Sequence, residues 1–473
     1  MTTAAAPGED RFRIGRPDLI PTARYYDPEF MKLENERLWP RVWQMACRLE
    51  EIPEPDDFVE YVILDRSVIL VRQKDGSVKA FENACRHRGM KLCKDRGTAR
   101  GGFSCPFHAW HYSTDGTCKA VFQPALFDPE VLRKEDIDLT PVRVETWGGC
   151  AFINFDDNAP PLRDCLGRFA PMHEMRQVEE LRTQLWIAIR LPANWKIALA
   201  AFMESYHVLR THPQLVSMFG MTMEAYNEAA KKGPATASAL RNSADQGSGL
   251  QMIDKQLAYY RNLSRGMAGM ISDREVAVAE QLRDRVVLPD DAAQASAAWR
   301  EAFHQAIHEE AETTGRPIFP IHEHPLPTET PVHFAFPNFF LLPPFTAASS
   351  YRVRPLGPEE CLFEIWSLDR FAPGEEPPRQ ATPVPMAHDD PSIPEVPTQD
   401  FANIPLQQQG VHAPHLTHLR LARAQEGMVS AFERLIDGFI YRWPDAVIMD
   451  AYGKVSGAID QPIVPLGPDA VSA

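Results

Sequence analysis

One segment, residues 82 to 116, "ENACRHRGMKLCKDRGTARGGFSCPFHAWHYSTDG", constrains this chain more than any other. Cys85 and His87 form C-x-H, seventeen residues pass, and Cys105 and His108 form C-x-x-H. Two cysteines and two histidines can hold structural zinc, but zinc fingers usually pair like with like, C-x(2-4)-C and H-x(3-5)-H. Here each arm is mixed. Mixed arms suit a [2Fe-2S] cluster in which one iron takes both thiolates and the other both imidazoles, because each loop then supplies one ligand to each iron. The chain must therefore fold so that two loops, twenty residues apart, meet at one point.

The text around this motif reads as short strands. From about 57 to 155 these are "FVEYVILD", "SVILVRQ", "VKAFENAC" and "CAFINFDD", separated by turn signals such as Lys74-Asp75-Gly76 and Asp115-Gly116. A small antiparallel β domain is expected over 40–155, preceded by a helical segment, 1–39, that packs on the remaining domain. Beyond residue 160 the pattern turns helical, strands return at "PVHFAFPNFFLLPP", "SSYRVRPLG" and "CLFEIWSLDRF", and an amphipathic helix near "RAQEGMVSAFERLIDGFIYRW" closes the chain. The second domain, 156–473, is expected to be α+β, an antiparallel sheet packed by helices. Residues 222–312, dominated by Ala, Glu, Arg and Gln, read as an exposed or lid-like helical insertion; 372–397, with eight prolines, reads as a connection without an element of its own.

An electron carrier would need only the first domain, and more than 300 residues follow it. They contain Glu204, His207 and His212 in the pattern E-x-x-H-x(4)-H. On an ideal helix Glu204 and His207 lie about 60° apart, whereas His207 and His212 differ by about 140°, too far to share a ligand face. Pro213 disfavours the α conformation at His212, so the helix should end near Thr211 and let His212 swing toward His207. Two histidines and one carboxylate form the facial triad of non-haem Fe(II) oxygenases, with positions left open for small molecules. Spacing alone leaves Asp389, Asp390, Asp400, Asp437 and Asp445 as candidates for the carboxylate.

The phrase "CRHRG...CPFHAWHYSTDG" resembles the Rieske fold, with proline after the second cysteine, tryptophan two residues after the second histidine, and a DG hairpin. The segment "ANWKIALAAFMESYHVLRTHP" looks like the iron-binding stretch of the large, α-type subunit of Rieske aromatic ring-hydroxylating oxygenases. In this order the two motifs cover most of the chain. The resemblance implies one [2Fe-2S] cluster on Cys85, His87, Cys105 and His108, and one mononuclear Fe(II) on His207 and His212. Through the match of "TQDFANIPLQQQG" to a late Q-D-x-x-N segment, it implies Asp400 as the third ligand; Asp437 reads as a solvated residue of the closing helix. It implies that Glu204 bridges His207 to His108 of the partner subunit and carries electrons between the two centres. It also implies a helix-grip, START-like catalytic fold, and a homotrimer or an α3β3 assembly with a small subunit.

The implied reaction uses O2 and electrons from NAD(P)H, delivered by a reductase with or without a ferredoxin, to cis-dihydroxylate or monooxygenate an aromatic or other apolar substrate. Replacing two thiolates by neutral imidazoles raises the cluster potential to roughly −150 to +300 mV, against about −400 mV for plant-type ferredoxins, so such a donor can fill it. Respiratory members carry a bonded cysteine in each cluster loop; here Phe107 sits between Cys105 and His108 and Cys93 has no mate in the second loop, which favours the oxygenase branch. The chain departs from the family pattern at Ala109, more often Gly, at Glu204, often Asp, and at Ala201, usually Asn.

A formal charge of −15 argues against nucleic acid or an anionic membrane as partner, since phosphate recognition needs surplus Lys and Arg. No apolar run is long enough to span a bilayer, and the N-terminal residues carry charges where an export signal needs an apolar centre, so the cytoplasm is the expected location. Eight irregularly spaced cysteines fit reduced thiols and metal ligation better than a disulfide framework. The substrate pocket is expected from Phe202, Met203, Phe336, Phe339 and Leu341. Rival readings are an iron-sulfur electron-transfer protein without oxygenase chemistry, and a zinc-binding hydrolase.

Overall fold

Two separate antiparallel-rich sheets, one of seven strands and one of six, organise this chain. The structure is a computed structural model that describes residues 8–231, 248–321, 333–456 and 459–468. Asn35–Cys165 form one compact unit; Met1–Glu34 and Leu166–Ala473 form the other.

The smaller unit is built on an antiparallel sheet of seven strands. In spatial order these are Gln44–Arg48, Cys150–Asn154, Pro141–Trp147, Val78–Glu82, Arg66–Arg72, Asp57–Ile63 and Arg96–Thr98. In Asp57–Ile63 the side chains of Val59, Tyr61 and Ile63 are buried while Val62 between them is exposed, the alternation of a half-covered strand. A three-stranded sheet of Phe103–Ser104, His111–Tyr112 and Cys118–Ala120 frames the second cysteine-histidine arm. Ile69, Phe81, Phe103, Trp110, Tyr112 and Leu139 pack into one apolar cluster around Cys85 and Cys105.

The larger unit holds a six-stranded sheet. Its spatial order is His333–Ala335, Phe339–Leu342, Ala348–Gly357, Glu360–Asp369, Arg182–Leu191 and Val384–Met386. All pairs are antiparallel except the last, where Ile187 faces Val384 in a parallel edge strand. That edge strand lies inside the proline-rich stretch expected to have no element; an outer strand tolerates Pro385 because the side facing away needs no donor. The helix Glu395–Gly410 also begins within this stretch, with Pro394 and Pro397 at its N-terminal end, where a missing N–H costs nothing.

The helix Gly427–Ile440, amphipathic in sequence as expected, is buried along its whole length except at Arg434, and it does not close the chain: a further helix, Asp445–Val455, follows it. The two acids of Gly427–Ile440 fit this burial. Glu433 and Asp437 are 1% and 3% exposed, and both pair with Arg24, whose Nε lies 3.0 Å from Glu433 Oε2 and whose Nη1 meets the Asp437 carboxylate. Asp437 is thus a buried partner of the N-terminal segment and not a solvated residue. That segment is only partly helical: Leu19–Pro21 is a strand paired antiparallel with His418–Arg420, followed by the helix Pro28–Leu33.

The region 222–312 is helical but not simply exposed. Gly249–Gly266, Asp273–Arg283 and Ala292–Thr314 are helices with shared aromatic packing: Tyr260 stacks on Phe303 at 5.3 Å and meets Phe345 edge-on at 5.3 Å. The middle of the expected insertion, 232–247, and the start of the expected strand at 331–332 lie outside the described residues.

Candidate active site

Each cysteine-histidine arm is a turn closed by the same two main-chain hydrogen bonds. The Cys85 N–H donates to the Met90 carbonyl at 2.8 Å and the Gly89 N–H to the Cys85 carbonyl at 2.8 Å; Cys105 to Trp110 at 2.8 Å and Ala109 to Cys105 at 3.0 Å repeat the pattern. The fifth residue of each turn needs positive φ, +73° at Gly89 and +57° at Ala109. Glycine adopts this freely, whereas alanine pays about 1 kcal/mol for it.

The four side chains converge. Cys85 and Cys105 are buried, the rings of His87 and His108 stand 4.6 Å apart edge to face, and His87 stacks on Trp110 at 5.2 Å. Nδ1 of His87 is buried without a hydrogen-bond partner, which is costly for a ring nitrogen unless a metal takes its lone pair. Two buried thiols and such an imidazole fit a [2Fe-2S] cluster. The Tyr112 hydroxyl, 3.3 Å from Cys85 Sγ, accepts from the Arg86 N–H at 3.0 Å. Burial holds that hydroxyl protonated far above its usual range, leaving its proton for the sulfur. The sequence reading missed Tyr112, although it stands four residues after His108 in the motif itself. None of the eight cysteines is in a disulfide; burial pushes the Cys93 thiol up to about 12, a packing cysteine and not a redox partner.

In the larger unit the N-W-K segment starts a helix. The Asn194 side chain caps Trp195–Ala200 by accepting from the Lys196 N–H at 3.0 Å. Lys196 Nζ pairs with Glu34 at 2.8 Å, both fully buried, and Trp195 Nε1 donates to the same carboxylate at 3.2 Å. This helix stops at Ala200, so Glu204 and His207 do not share a helical face as expected. Carboxylates take the donors that a continuing helix would use: the Ser205 N–H goes to Asp460 Oδ1 at 3.0 Å and the His207 N–H to Glu204 Oε2 at 3.1 Å. A single helical turn, Val208–Thr211, follows and ends before His212.

His207, His212 and Asp400 come together. Asp400 Oδ1 lies 3.0 Å from His212 Nε2 and 3.7 Å from His207 Nε2, and the three donor atoms fall within 4.8 Å of one another. Donors at about 2.1 Å from a first-row ion and at right angles are about 3 Å apart, so these residues fit a mononuclear metal site. Both imidazoles are held in the required tautomer. His207 donates Nδ1–H to Glu204 Oε1 at 2.6 Å, and His212 donates Nδ1–H to Gln399 Oε1 at 2.6 Å, leaving each Nε2 lone pair toward Asp400. Burial pulls the His207 imidazole down, but the Glu204 hydrogen bond and charge outweigh it and raise its pKa. Of the other carboxylates that spacing left open, Asp389 and Asp445 are exposed, Asp390 accepts from the Ser392 N–H at 2.9 Å, and Asp437 is held by Arg24.

A cavity of about 140 Å³ opens on this triad. Apart from Ser205, Glu204 and the triad itself, its lining is mainly apolar and includes Phe202, Leu215, Tyr259, Met267, Met270 and Leu342. Phe202 is where the sequence reading put it, but Met203, Phe336, Phe339 and Leu341 do not line the cavity. Strand parity is the reason: Leu342 is on the wall and the Phe340 ring faces Phe202 at 6.2 Å, so 340 and 342 share the site face while Phe339 turns to Phe169 at 6.2 Å. Phe336 stacks on Phe439 at 5.9 Å. On the other side a second cavity, about 160 Å³, touches Glu204, His207, Asp400 and Asn403; Ala201 borders both.

Mixed thiolate-imidazole arms in a β unit, and two histidines with a carboxylate beneath an apolar cavity in an α+β unit, are the two metal-ligand sets that mark the class of Rieske-type non-haem iron proteins. The chain belongs to the ring-hydroxylating α-subunit family: the family model for the "Ring hydroxylating alpha subunit (catalytic domain)" matches residues 178–440, and that for the "Rieske [2Fe-2S] domain" matches 42–129. A [2Fe-2S] cluster and a mononuclear iron are accordingly its cofactors. The chain is similar to the carnitine monooxygenase oxygenase subunit of Acinetobacter baumannii, 30% identical over 204 residues, which is 41% of this chain and 52% of that protein. It is also similar to the biphenyl 2,3-dioxygenase α subunit of Rhodococcus jostii, 35% identical over 192 residues, 39% of this chain and 41% of that one. It thus spans about half the length of the curated relatives it matches. A naphthalene 1,2-dioxygenase structure with indole bound shares the fold, with TM-score 0.59 and 20% identity over 93% of this chain and 96% of that one. Among the described residues no helix is long and apolar enough to cross a membrane.

Proposed function

We propose that this chain is the terminal oxygenase component of a Rieske system, adding oxygen from O2 to a small apolar or aromatic molecule by cis-dihydroxylation or monooxygenation. The observation that carries the reading is the convergence of His207 Nε2, His212 Nε2 and Asp400 Oδ1 at the end of an apolar cavity. A pure electron carrier has no use for that site. When bound, the mononuclear iron supplies oxygen activation, and the cluster supplies electrons one at a time.

The chain's own residues do the rest. Asp400, 4% exposed, brings one negative charge to the ligand set, while Gln399 and Glu204 hold the two imidazoles in place through their Nδ1 protons. The apolar walls exclude water, so a substrate approaches a site whose polar groups already point at its reacting end. Glu204, in contact with His207 and facing the second cavity, is assigned the bridge to His108 of the partner subunit. That role calls for a ring of subunits, a homotrimer or an α3β3 assembly, with electrons from an NAD(P)H-dependent reductase and with or without a ferredoxin, in the cytoplasm. Cys85, His87, Cys105 and His108 are assigned to the cluster, and His207, His212 and Asp400 to the mononuclear iron.

Single turnover tests this without the natural reductase. Dithionite-reduced protein, freed of reductant and given O2 with a panel of aromatic and apolar compounds, is expected to yield an oxygenated product carrying label from 18O2. Consumption of O2 with no labelled product from any compound would leave an electron-transfer protein.

A further inference from the structure

Glu204 and His207 lie in an irregular stretch between the helix Trp195–Ala200 and the turn Val208–Thr211. Within it they bond to each other: the Glu204 carboxylate accepts the His207 N–H at 3.1 Å and its Nδ1–H at 2.6 Å. Such a closed pair fixes its own geometry but not its place in the fold. Among the described residues, hydrogen bonds from other elements reach 204–207 at one point, Ser205. Asp460 accepts the Ser205 N–H with Oδ1 at 3.0 Å and the Ser205 hydroxyl with Oδ2. Gln425 Nε2 donates to Ser205 Oγ and to Asp460 Oδ1, each at 3.2 Å.

Asp460 belongs to a segment, 459–468, that is pinned along its length. The Gly427 N–H donates to the Gln461 carbonyl and the Ile463 N–H to the Arg423 carbonyl, both at 2.8 Å. Arg434, the residue of Gly427–Ile440 that is not buried, donates to the Val464 carbonyl at 2.9 Å and to the Leu466 carbonyl. A Cβ on Gly427 would stand 2.2 Å from the Pro462 carbonyl oxygen, so the segment lies directly on the start of that helix. Asp460 itself takes φ of +67°. Aspartate tolerates this left-handed conformation, which persists where the surroundings over-determine it. The preceding residue, Ile459, is on the wall of the cavity over the triad, so the segment meets the site at two consecutive positions.

We infer that Asp460 is a positioning residue of the mononuclear site, acting through Ser205 on the Glu204–His207 pair. Its carboxylate, held by a fixed segment, takes the N–H that a continuing helix would give to the Ala201 carbonyl. The chain turns instead, and Glu204 meets His207 Nδ1 while His207 Nε2 faces Asp400 at 3.7 Å. Without the clamp, the helix is free to run on through Glu204, and His207 then stands about 140° from His212 around its axis. This role rests on the assignment of His207 to the iron proposed above.

The test measures Fe(II) affinity of the mononuclear site by competition with a chelator, with the cluster's visible spectrum as the check on the smaller unit. Asp460→Gly removes the carboxylate, and glycine keeps the left-handed φ without strain. Asp460→Asn keeps an acceptor for the Ser205 N–H and a polar atom beside its hydroxyl. Asp460→Gly is expected to lower affinity about tenfold or more, while Asp460→Asn stays within about threefold of the wild type. Because Asp460 acts through Glu204, adding Asp460→Gly to Glu204→Ala should change affinity by less than about threefold, whereas a merely structural role would make the two losses multiply. Should Asp460→Gly not fold, Ser205→Ala removes the hydroxyl half of the clamp and is expected to lose about threefold, again with no further loss beside Glu204→Ala. Unchanged affinity in the clamp variant, or losses that multiply, overturns the inference. His207→Ala separates this outcome from the site assignment. Unaltered affinity in that variant removes His207 from the ligand set, whereas loss there with Asp460→Gly unchanged removes Asp460 alone.

Discussion

His212 gives its Nδ1 proton to Gln399 Oε1 at 2.6 Å, and Gln399 is the residue immediately before Asp400. One helix therefore supplies a metal-facing carboxylate and the group that aims a metal-facing imidazole. The amide is itself oriented, because its oxygen also accepts from Gln214 Nε2 at 2.8 Å. Gln399→Leu keeps the bulk and removes the acceptor. Mononuclear iron affinity, measured by competition with a chelator, is expected to fall by about 10- to 100-fold with the visible spectrum of the cluster unchanged. Unaltered affinity would show that His212 needs no such support.

Ala109 stands where its counterpart turn has Gly89, and its φ is +57°. Ala109→Gly relieves about 1 kcal/mol of left-handed strain but adds about 0.4–1 kcal/mol of chain entropy to the unfolded state, for a net gain of up to about 0.6 kcal/mol. The readout is the urea midpoint for loss of the cluster's visible absorbance, which should rise; a fall would mean the alanine methyl makes contacts that outweigh the strain.

Lys196 and Glu34 form an ion pair from which water is excluded on both sides. Lys196→Met leaves Glu34 charged or forces it to take a proton, at an expected loss of about 3–5 kcal/mol. Pairing it with Glu34→Leu should recover much of that loss. Equal destabilisation by the single and the double variant, in urea unfolding of the larger unit, would rule the coupling out.

Asp369 adds a pH dependence. Burial first, and then the charge of Glu275, raise its carboxyl from the ordinary 3.8 to about 6. The folded protein then binds more protons than the unfolded chain between these values, so stability falls as pH rises through that window and levels off above it. Asp369→Asn keeps the acceptor for the Arg370 N–H, now 2.8 Å away, and removes the charge. The variant should exceed the wild type by up to about 3 kcal/mol at pH 7, with the difference vanishing near pH 4. A difference independent of pH would place the effect in packing.

Much of this was legible in the sequence, because metal ligands announce themselves by residue type. Cys85, His87, Cys105, His108, His207 and His212 stand in short local patterns that admit few chemistries. Asp400 is remote from them, and only the family resemblance singled it out among five aspartates. What stayed hidden depends on partners far along the chain. Asp437 looks like an ordinary helix-surface acid until Arg24, 413 residues away, is seen to bond to it. The helix expected through Glu204 is broken by Asp460, 255 residues beyond Ser205. The "FFLL" strand is buried at all four positions, so its text shows no alternation from which to tell the site face from the other, and the pocket was assigned to the wrong parity.

Iron content tests the central claim most directly. Wild-type protein, reconstituted anaerobically, is expected to hold about three irons and two sulfides per chain, and His212→Ala about two irons with the cluster's absorbance intact and no labelled product in single turnover. Two irons in both proteins, or undiminished oxygenation by the variant, would contradict a mononuclear iron held by His207, His212 and Asp400.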